Sequence, residues 1–162
     1  MKEYKYKLFD LLKKYEIKPK KHLGQNFLID NSCFLSILKD IDLKNQIVIE
    51  IGSGLGGLTS VLIKKSKKVI AIEYDNFLFE VLKKEFKDFN NLELTNTNFL
   101  NYEFNSDSKA IVFGNIPYNI TSLILFKLFK NINNIELCYL LLQKEIAEKL
   151  VAKAKSSFYN KL

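Results

Sequence analysis

The sequence predicts an α/β fold: a doubly wound, mostly parallel sheet with helices on both faces. From residue 46 onward, short apolar runs alternate with segments of helical length. These runs are almost wholly apolar, which is typical of strands buried on both faces. A glycine-rich stretch follows the first run and opens the first helical segment, as in the βα turns of such sheets. Alternating strands and helices of this kind predict a parallel sheet between two helical layers.

The part of the chain in which strands and helices alternate spans residues 46–155. Five strands are expected at Ile47–Ile51, Val69–Glu73, Leu92–Thr95, Ala110–Gly114 and Leu137–Leu142, and four helices at 56–66, 76–88, 121–130 and 143–154. The fifth strand would leave an exposed apolar sheet edge. In the third of these helices, we expect Phe126 and Phe129 to lie in the core beside Leu125 and Leu128.

Residues 1–30 are expected to form a basic helix followed by a loop. Apolar residues recur at helical spacing from Tyr4 to Tyr15, and Pro19 is expected to end the helix. Residues 1–22 contain eight lysines and three acidic residues, which is +5 of the net charge of +7. This charge suggests a polyanionic partner, although a solvated helix face explains it equally well.

Length and composition restrict the class of protein. The 162 residues suit a single domain spanning 1–162, and 48% apolar with 27% charged residues is ordinary for a globular protein. No apolar run is long enough to span a bilayer, and the N-terminus lacks the apolar stretch of a secretory signal. We therefore expect a cytoplasmic protein with no membrane partner.

Two cysteines, Cys33 and Cys138, are too far apart in sequence and too isolated to suggest a disulfide framework or a zinc site. We expect two reduced, mostly buried thiols, and no metal. The chain ends on residues 156–162, a segment with no evident partner, so a C-terminally truncated protein is expected.

The glycine-rich stretch has the spacing Gly52-x-Gly54-x-x-Gly57 between a strand and a helix. Glycine there allows a tight turn and the close approach of a ligand to the backbone. Glu73 ends the next strand about 20 residues later, where an acid accepts hydrogen bonds from ribose hydroxyls. Together they predict a nucleoside-binding site.

Enzymes that use NAD and enzymes that use S-adenosylmethionine share this arrangement. Gly52-x-Gly54-x-Gly56 also fits the methyltransferase form of the loop. Glu50, an acid near the end of the first strand, is common in methyltransferases and unusual in dinucleotide enzymes. A buried carboxylate needs partners, such as loop N–H groups or the ammonium of the donor through water. A purely turn-organising role for Glu50 is equally open.

Asn115-Ile116-Pro117-Tyr118 follows the fourth strand at its carboxyl end, where open α/β sheets place their chemistry. The amine of adenine is a poor nucleophile and needs acceptors that hold its hydrogens and aim its lone pair. The side-chain oxygen of Asn115 and the carbonyl of Ile116 suit that role. Pro117 stiffens the turn, and the ring of Tyr118 offers a face on which a base can stack.

With these motifs, the chain resembles the catalytic domain of the small-subunit ribosomal RNA adenine N6,N6-dimethyltransferases. The resemblance runs from about residue 18 to the end and rests on these separated blocks: 21–28 (Lys-His-Leu-Gly-Gln-Asn-Phe-Leu), the Gly52 loop, 72–75 (Ile-Glu-Tyr-Asp), 114–120 (Gly-Asn-Ile-Pro-Tyr-Asn-Ile) and 142–145 (Leu-Gln-Lys-Glu). It implies a Rossmann-like fold of the S-adenosylmethionine-dependent methyltransferases. It also implies that the last strands and a helical C-terminal domain are absent from this chain, so residues 1–162 by themselves are expected to bind the donor but to methylate RNA poorly.

The resemblance further implies S-adenosylmethionine as cofactor and assigns residues to it. Asn26 and Leu28 would contact its methionine part, Gly52 and its neighbours would pass beneath it, and Glu73 would bind its ribose. Asn115 and Tyr118 would form the site for the target amine. The full set expected to bind the cofactor is Gln25, Asn26, Leu28, Glu50, Gly52, Gly54, Glu73, Asn98 and Asn115.

One position departs from the family. Where an aspartate usually receives the adenine amine of the donor, this chain has Asn98, which keeps one acceptor oxygen and lacks the charge. A slip of alignment that assigns the role to Asn96 or Asn101 is an alternative.

The implied reaction is dimethylation of two adjacent adenosines in small-subunit ribosomal RNA, within an assembling subunit and by a monomeric enzyme. One alternative is a methyltransferase of large-subunit RNA that confers antibiotic resistance. Another is a non-enzymatic mitochondrial transcription factor of the same superfamily, and a third, from a different class, is an NAD-binding oxidoreductase. In an NAD-binding oxidoreductase, the motif at Asn115 would have no role.

Overall fold

The computed structural model describes residues 9–20, 25, 27, 32–105 and 108–153. Its five strands form one sheet in the order β3-β2-β1-β4-β5, and every neighbouring pair is parallel. The strands are β1 Ile47–Ile51, β2 Lys68–Glu73, β3 Leu92–Asn96, β4 Ala110–Asn115 and β5 Ile135–Leu141. The predicted parallel sheet is confirmed, with β1 at its centre.

Six helices accompany the sheet in the part of the chain that the structure describes. They are α1 at 9–14, α2 Ser32–Ile37, α3 Thr59–Lys65, α4 Asn76–Glu85, α5 Thr121–Lys130 and α6 Lys144–Leu150. Three of these connect successive strands: α3 joins β1 to β2, α4 joins β2 to β3, and α5 joins β4 to β5. Short 3₁₀ turns lie at Phe99–Asn101, Tyr118–Ile120 and Ile132–Asn134. Within the described residues, no helix is long and apolar enough to cross a membrane.

The sheet is buried on both faces, as its apolar strands predicted. On one face, Val48 of β1 packs in a cluster with residues of α2, α3 and α4. On the other face, its neighbour Ile49 packs with Ile124 and Leu128 of α5. Successive side chains of a strand point to opposite faces, so β1, β2, β4 and β5 contribute to both clusters, while β3 contributes only to the first.

Two expectations about burial are wrong. Phe126 and Phe129 are more than half exposed, at 55% and 58%, because α5 turns Leu125 and Leu128 inward instead. Cys138 is an exposed free thiol, because it lies on β5 at the edge of the sheet. The side chain of Cys33 lies outside the described residues.

Helix α1 does not end at Pro19. Its last turn is closed by Glu16, which has the left-handed φ of 51°. The N–H of Ile17 donates to the carbonyl of Leu12 at 2.8 Å, and that of Glu16 to Lys13 at 3.2 Å. This is a Schellman motif, which usually uses glycine. No glycine marks it here, so the sequence could not indicate this end.

Gly56 of the glycine loop is a packing position. Its φ is +77°, and a Cβ added there would lie 2.2 Å from the ring of Phe86 and 2.9 Å from Leu82. The loop therefore lies directly on α4 and the residue that follows it, and only glycine fits between them.

We expect Gly56→Ala to lower the free energy of unfolding by about 3 kcal/mol, since it combines an unfavourable φ with overlap in the core. Gly54→Ala is the matched control, because its φ of +56° is similar and its added Cβ lies 3.7 Å from the nearest atom. That variant should lose only about 1 kcal/mol. Urea unfolding followed by circular dichroism measures both, and equal losses would contradict the packing role.

Glu50 is a buried acid on the central strand, 3% exposed. Its Oε2 accepts a hydrogen bond from the hydroxyl of Thr59 at 2.5 Å. Burial raises its pKa from 4.5 to about 8, with the hydrogen bond of Thr59 acting in the opposite direction. The carboxyl is therefore protonated in the folded protein at neutral pH.

We expect the raised pKa of Glu50 to lower the free energy of unfolding as the pH rises. Between pH 4.5 and pH 8, the folded state holds a proton that the unfolded state has lost, so the free energy of unfolding decreases with pH. Glu50→Gln keeps the acceptor for Thr59 and removes the titration. Its stability relative to wild type should grow by up to about 1.4 kcal/mol per pH unit across this window and level off above it.

Urea unfolding of both proteins from pH 5 to pH 9 measures the difference. Glu93→Gln, which removes an exposed carboxylate of β3, is the control. A stability difference between Glu50→Gln and wild type that stays constant with pH would contradict the assignment.

Candidate ligand site at the carboxyl ends of the strands

A cleft with a cavity volume of about 160 Å³ opens at the carboxyl ends of the strands. It lies where the strand order reverses, with β2 and β3 on one side of β1 and β4 on the other. This is where open α/β sheets bind ligands. Of the residues expected from the sequence, the cleft brings together Gln25, Glu50, Gly52, Gly54, Glu73, Asn98, Asn115 and Pro117.

The glycine loop forms one wall of the cleft. Gly52 and Gly54 have φ values of +70° and +56°, so both occupy the left-handed region that favours glycine. The N–H of Gly52 donates to the carbonyl of Ile72 at 2.9 Å, which fixes the loop against the end of β2. A Cβ added at Gly52 would meet nothing nearer than the carbonyl oxygen of Asn115 at 4.0 Å. It would project into space that a ligand can fill.

Glu73 stands at the end of β2 with its carboxylate turned back to the backbone. Its Oε2 accepts a hydrogen bond from the N–H of Gly54 at 2.7 Å, and its Oε1 accepts one from the N–H of Asp75 at 2.8 Å. Burial raises its pKa above the usual value, while these two hydrogen bonds oppose the shift. Each oxygen keeps a further lone pair, so the carboxylate can also accept hydrogen bonds from two hydroxyls.

Asp75 caps α4 and anchors the N-terminal segment. Its Oδ1 accepts from the N–H groups of Phe77 and Leu78, and its Oδ2 lies 2.7 Å from Nζ of Lys20 and 2.9 Å from Nε2 of Gln25. Burial opposes ionisation, but these hydrogen bonds lower the pKa of Asp75. The sequence indicated the cap and missed the link to Lys20, because nothing local connects positions 55 residues apart.

Gln25 lines the cleft but uses both ends of its amide within the chain. Its Nε2 donates to Asp75, and its Oε1 accepts from the N–H of Lys20 at 2.9 Å. These bonds position the loop, and they leave the amide one further hydrogen and one further lone pair for a ligand. Asn26 and Leu28, for which donor contacts were also expected, lie outside the described residues. Phe27 lines the cleft and flanks Gly54.

The motif after β4 places Asn115 and Pro117 on the cleft wall opposite the β2 end. The N–H of Ile116 donates to the carbonyl of Leu141 on β5 at 3.1 Å, and the side chain of Ile116 is buried. The hydroxyl of Thr121 holds the carbonyl of Pro117 at 3.0 Å. Tyr118 is 51% exposed and is not among the residues that line the cleft.

Three asparagines lie at or just after the end of β3, and one of them lines the cleft. Asn98 borders it and begins a 3₁₀ turn, with its Oδ1 accepting from the N–H of Leu100 at 2.9 Å. Asn96 instead donates its side chain to the carbonyl of Glu73 at 2.9 Å, and Asn101 is exposed. The geometry favours Asn98 over the two alternatives as the residue that meets a ligand.

Comparison with known proteins supports the resemblance. Residues 17–162 match the family model described as ribosomal RNA adenine dimethylase. The chain is 46% identical over 144 residues to the ribosomal RNA small subunit methyltransferase A of Mesomycoplasma hyopneumoniae and 48% identical over 143 residues to that of Mycoplasma mobile. These matches cover 89% and 88% of this chain, and 55% and 56% of the relatives. The chain thus spans about half the length of the curated relatives it matches.

Two solved structures agree in fold. A dimethyladenosine transferase from Plasmodium falciparum superposes with a TM-score of 0.71 at 32% identity, covering 81% of this chain and 48% of that one. The 23S rRNA methyltransferase ErmE superposes with a TM-score of 0.69 at 30% identity, covering 76% and 50%. The predicted Rossmann-like methyltransferase fold is confirmed. By sequence and by fold, the chain belongs to the ribosomal RNA adenine dimethylase family.

Proposed function

We propose that residues 1–162 are the catalytic domain of an enzyme that dimethylates N6 of two adjacent adenosines in small-subunit ribosomal RNA, with S-adenosylmethionine as methyl donor. The observation that carries the proposal is that the glycine loop, Glu73 and Asn115 all line one cleft. The first two are the residues that we expect to bind the donor, and Asn115 is the residue that we expect to hold the target amine. Residues 1–30 would form its N-terminal helix and donor-binding loop, and 46–155 its βα core.

The residues of the cleft fit the donor. Gly52 and Gly54 leave room for it against the backbone, and the buried carboxylate of Glu73 is placed to accept its ribose hydroxyls. Glu50 lies in the cleft lining and, in its protonated form, adds a hydrogen-bond donor there. When bound, S-adenosylmethionine supplies an electrophilic methyl group, so the protein needs no strong base. That no metal takes part remains a prediction.

Asn115 would orient the target amine. Its side-chain oxygen and the carbonyl of Ile116 would accept the two hydrogens of the amine, which aims the nitrogen lone pair towards the methyl group. Pro117, whose carbonyl is held by Thr121, keeps the turn in place. Tyr118 would stack on the base, a contact worth roughly 1–3 kcal/mol.

The names of the relatives support small-subunit RNA as the substrate. Those that are 46–48% identical are named for the small ribosomal subunit, whereas the ErmE structure at 30% identity is named for 23S rRNA. We therefore favour small-subunit RNA in an assembling subunit over large-subunit RNA. We place the enzyme in the cytoplasm, where subunits assemble, and expect a monomer.

We expect Glu73→Ala to weaken binding of S-adenosylhomocysteine, the product of the donor, by about 30-fold, because ribose hydroxyls and loop N–H groups lose a charged acceptor. Isothermal titration calorimetry measures the affinity, and Glu93→Ala on β3 is the matched control. An unchanged affinity of Glu73→Ala would contradict the ribose assignment. Binding of NAD in place of S-adenosylhomocysteine by wild type would favour the oxidoreductase alternative.

The reaction itself is tested by transfer of labelled methyl groups to small subunits that lack the modification. We expect N6,N6-dimethyladenosine as product and a rate roughly 100-fold lower for Asn115→Ala, with a much smaller loss of donor affinity. Asn133→Ala, at an exposed position beyond α5, should match wild type. Equal rates for both variants, or methylation confined to large-subunit RNA, would overturn the proposal.

A further inference from the structure

The order of the strands determines where the base of a bound donor must lie. Glu73, the ribose acceptor, ends β2, while Asn115, the amine site, ends β4 on the far side of β1. The reactive arm of the donor must therefore extend from the ribose across β1 towards β4. The base, attached to the other side of the ribose, then lies over the end of β3, where Thr97, Asn98 and Phe99 line the cleft.

The hydrogen bond that Asn98 already makes within the chain decides whether its side chain offers the base a donor or an acceptor. Its Oδ1 is held by the N–H of Leu100 at 2.9 Å, in the contact that begins the 3₁₀ turn. Turning the amide over would place its NH₂ group against that N–H and break the cap. Within the described residues, its Nδ2 makes no hydrogen bond.

We infer that Asn98 offers the base a hydrogen-bond donor, so that this cleft binds a purine with an oxygen at position 6 about as well as one with an amine. The amine of adenine is itself a donor and finds no complementary partner in that NH₂ group. The oxygen of a 6-oxopurine is an acceptor and can accept a hydrogen bond from that NH₂ group. An aspartate would reverse the preference, because one of its oxygens would keep the cap and the other would accept from the amine. The inference rests on the proposed use of S-adenosylmethionine.

Binding of two ligands that differ at position 6 tests the inference. They also differ at N1, which is an acceptor in adenine and an N–H donor in the 6-oxopurine, so the deciding quantity is the change in the affinity ratio between wild type and Asn98→Asp. S-adenosylhomocysteine and its 6-oxo counterpart, S-inosylhomocysteine, are titrated by calorimetry into wild type and Asn98→Asp. We expect affinities within about tenfold of each other for wild type, and a shift of at least about tenfold towards the adenosyl ligand in Asn98→Asp. Aspartate is a good N-cap, so the variant retains the turn.

Asn101→Asp adds the same charge at an exposed position three residues on and serves as the control. It should keep the ratio of wild type. A wild-type preference for the adenosyl ligand above about 30-fold, or an unchanged ratio in Asn98→Asp, overturns the inference while leaving donor binding intact. Failure of wild type to bind either ligand overturns the proposed function as well, which distinguishes the two failures.

Discussion

The carboxylate of Glu73 joins the parts of the chain that meet at the cleft. It holds the N–H of Gly54 in the loop after β1 and the N–H of Asp75 at the start of α4, at 2.7 and 2.8 Å. The carbonyl of the same residue accepts from the side chain of Asn96 at the end of β3. Hydrogen bonds to the side chain and the carbonyl of Glu73 thus link the ends of β1, β2 and β3. Two charge-assisted hydrogen bonds in a buried setting are strong enough to do this.

Glu50 and Asp75 are also buried acids in the lining of the cleft, and Glu50 differs from Glu73 in what surrounds it. Glu50 has a hydroxyl partner in Thr59, and burial leaves it protonated at neutral pH. Glu73 has two backbone N–H donors that favour the charged form against its burial. Asp75 is paired with Lys20, and its charge adds to the burial that raises the pKa of Glu73. Protonation of Glu50 removes one charge from the repulsion among these carboxyls.

The sequence predicted the features that depend on local pattern. The bounds of β1 agree with the apolar run at Ile47–Ile51, and the glycine loop lies where its spacing placed it. The inward face of α5 could not be predicted, because the helix is apolar on several sides and periodicity does not say which side meets the sheet. Thr59 as the partner of Glu50 was likewise missed. Contacts of this kind depend on how distant segments pack, which no local pattern indicates.

The contacts of the N-terminal segment have a consequence for its behaviour in solution. Lys14 and Tyr15 contact Glu85, and Lys20 contacts Asp75, so charged or polar pairs hold both ends of residues 14–20 to α4. Between them, Ile17 packs against the cluster of Leu11, Leu55 and Leu78 with apolar contacts that salt does not weaken. Dissolved ions screen exposed charges, with a Debye length of about 8 Å at physiological ionic strength. Added electrolyte therefore weakens the contacts at the ends of this segment, the Lys14–Glu85 pair more than the better buried Lys20–Asp75 pair, and leaves the apolar contacts in its middle.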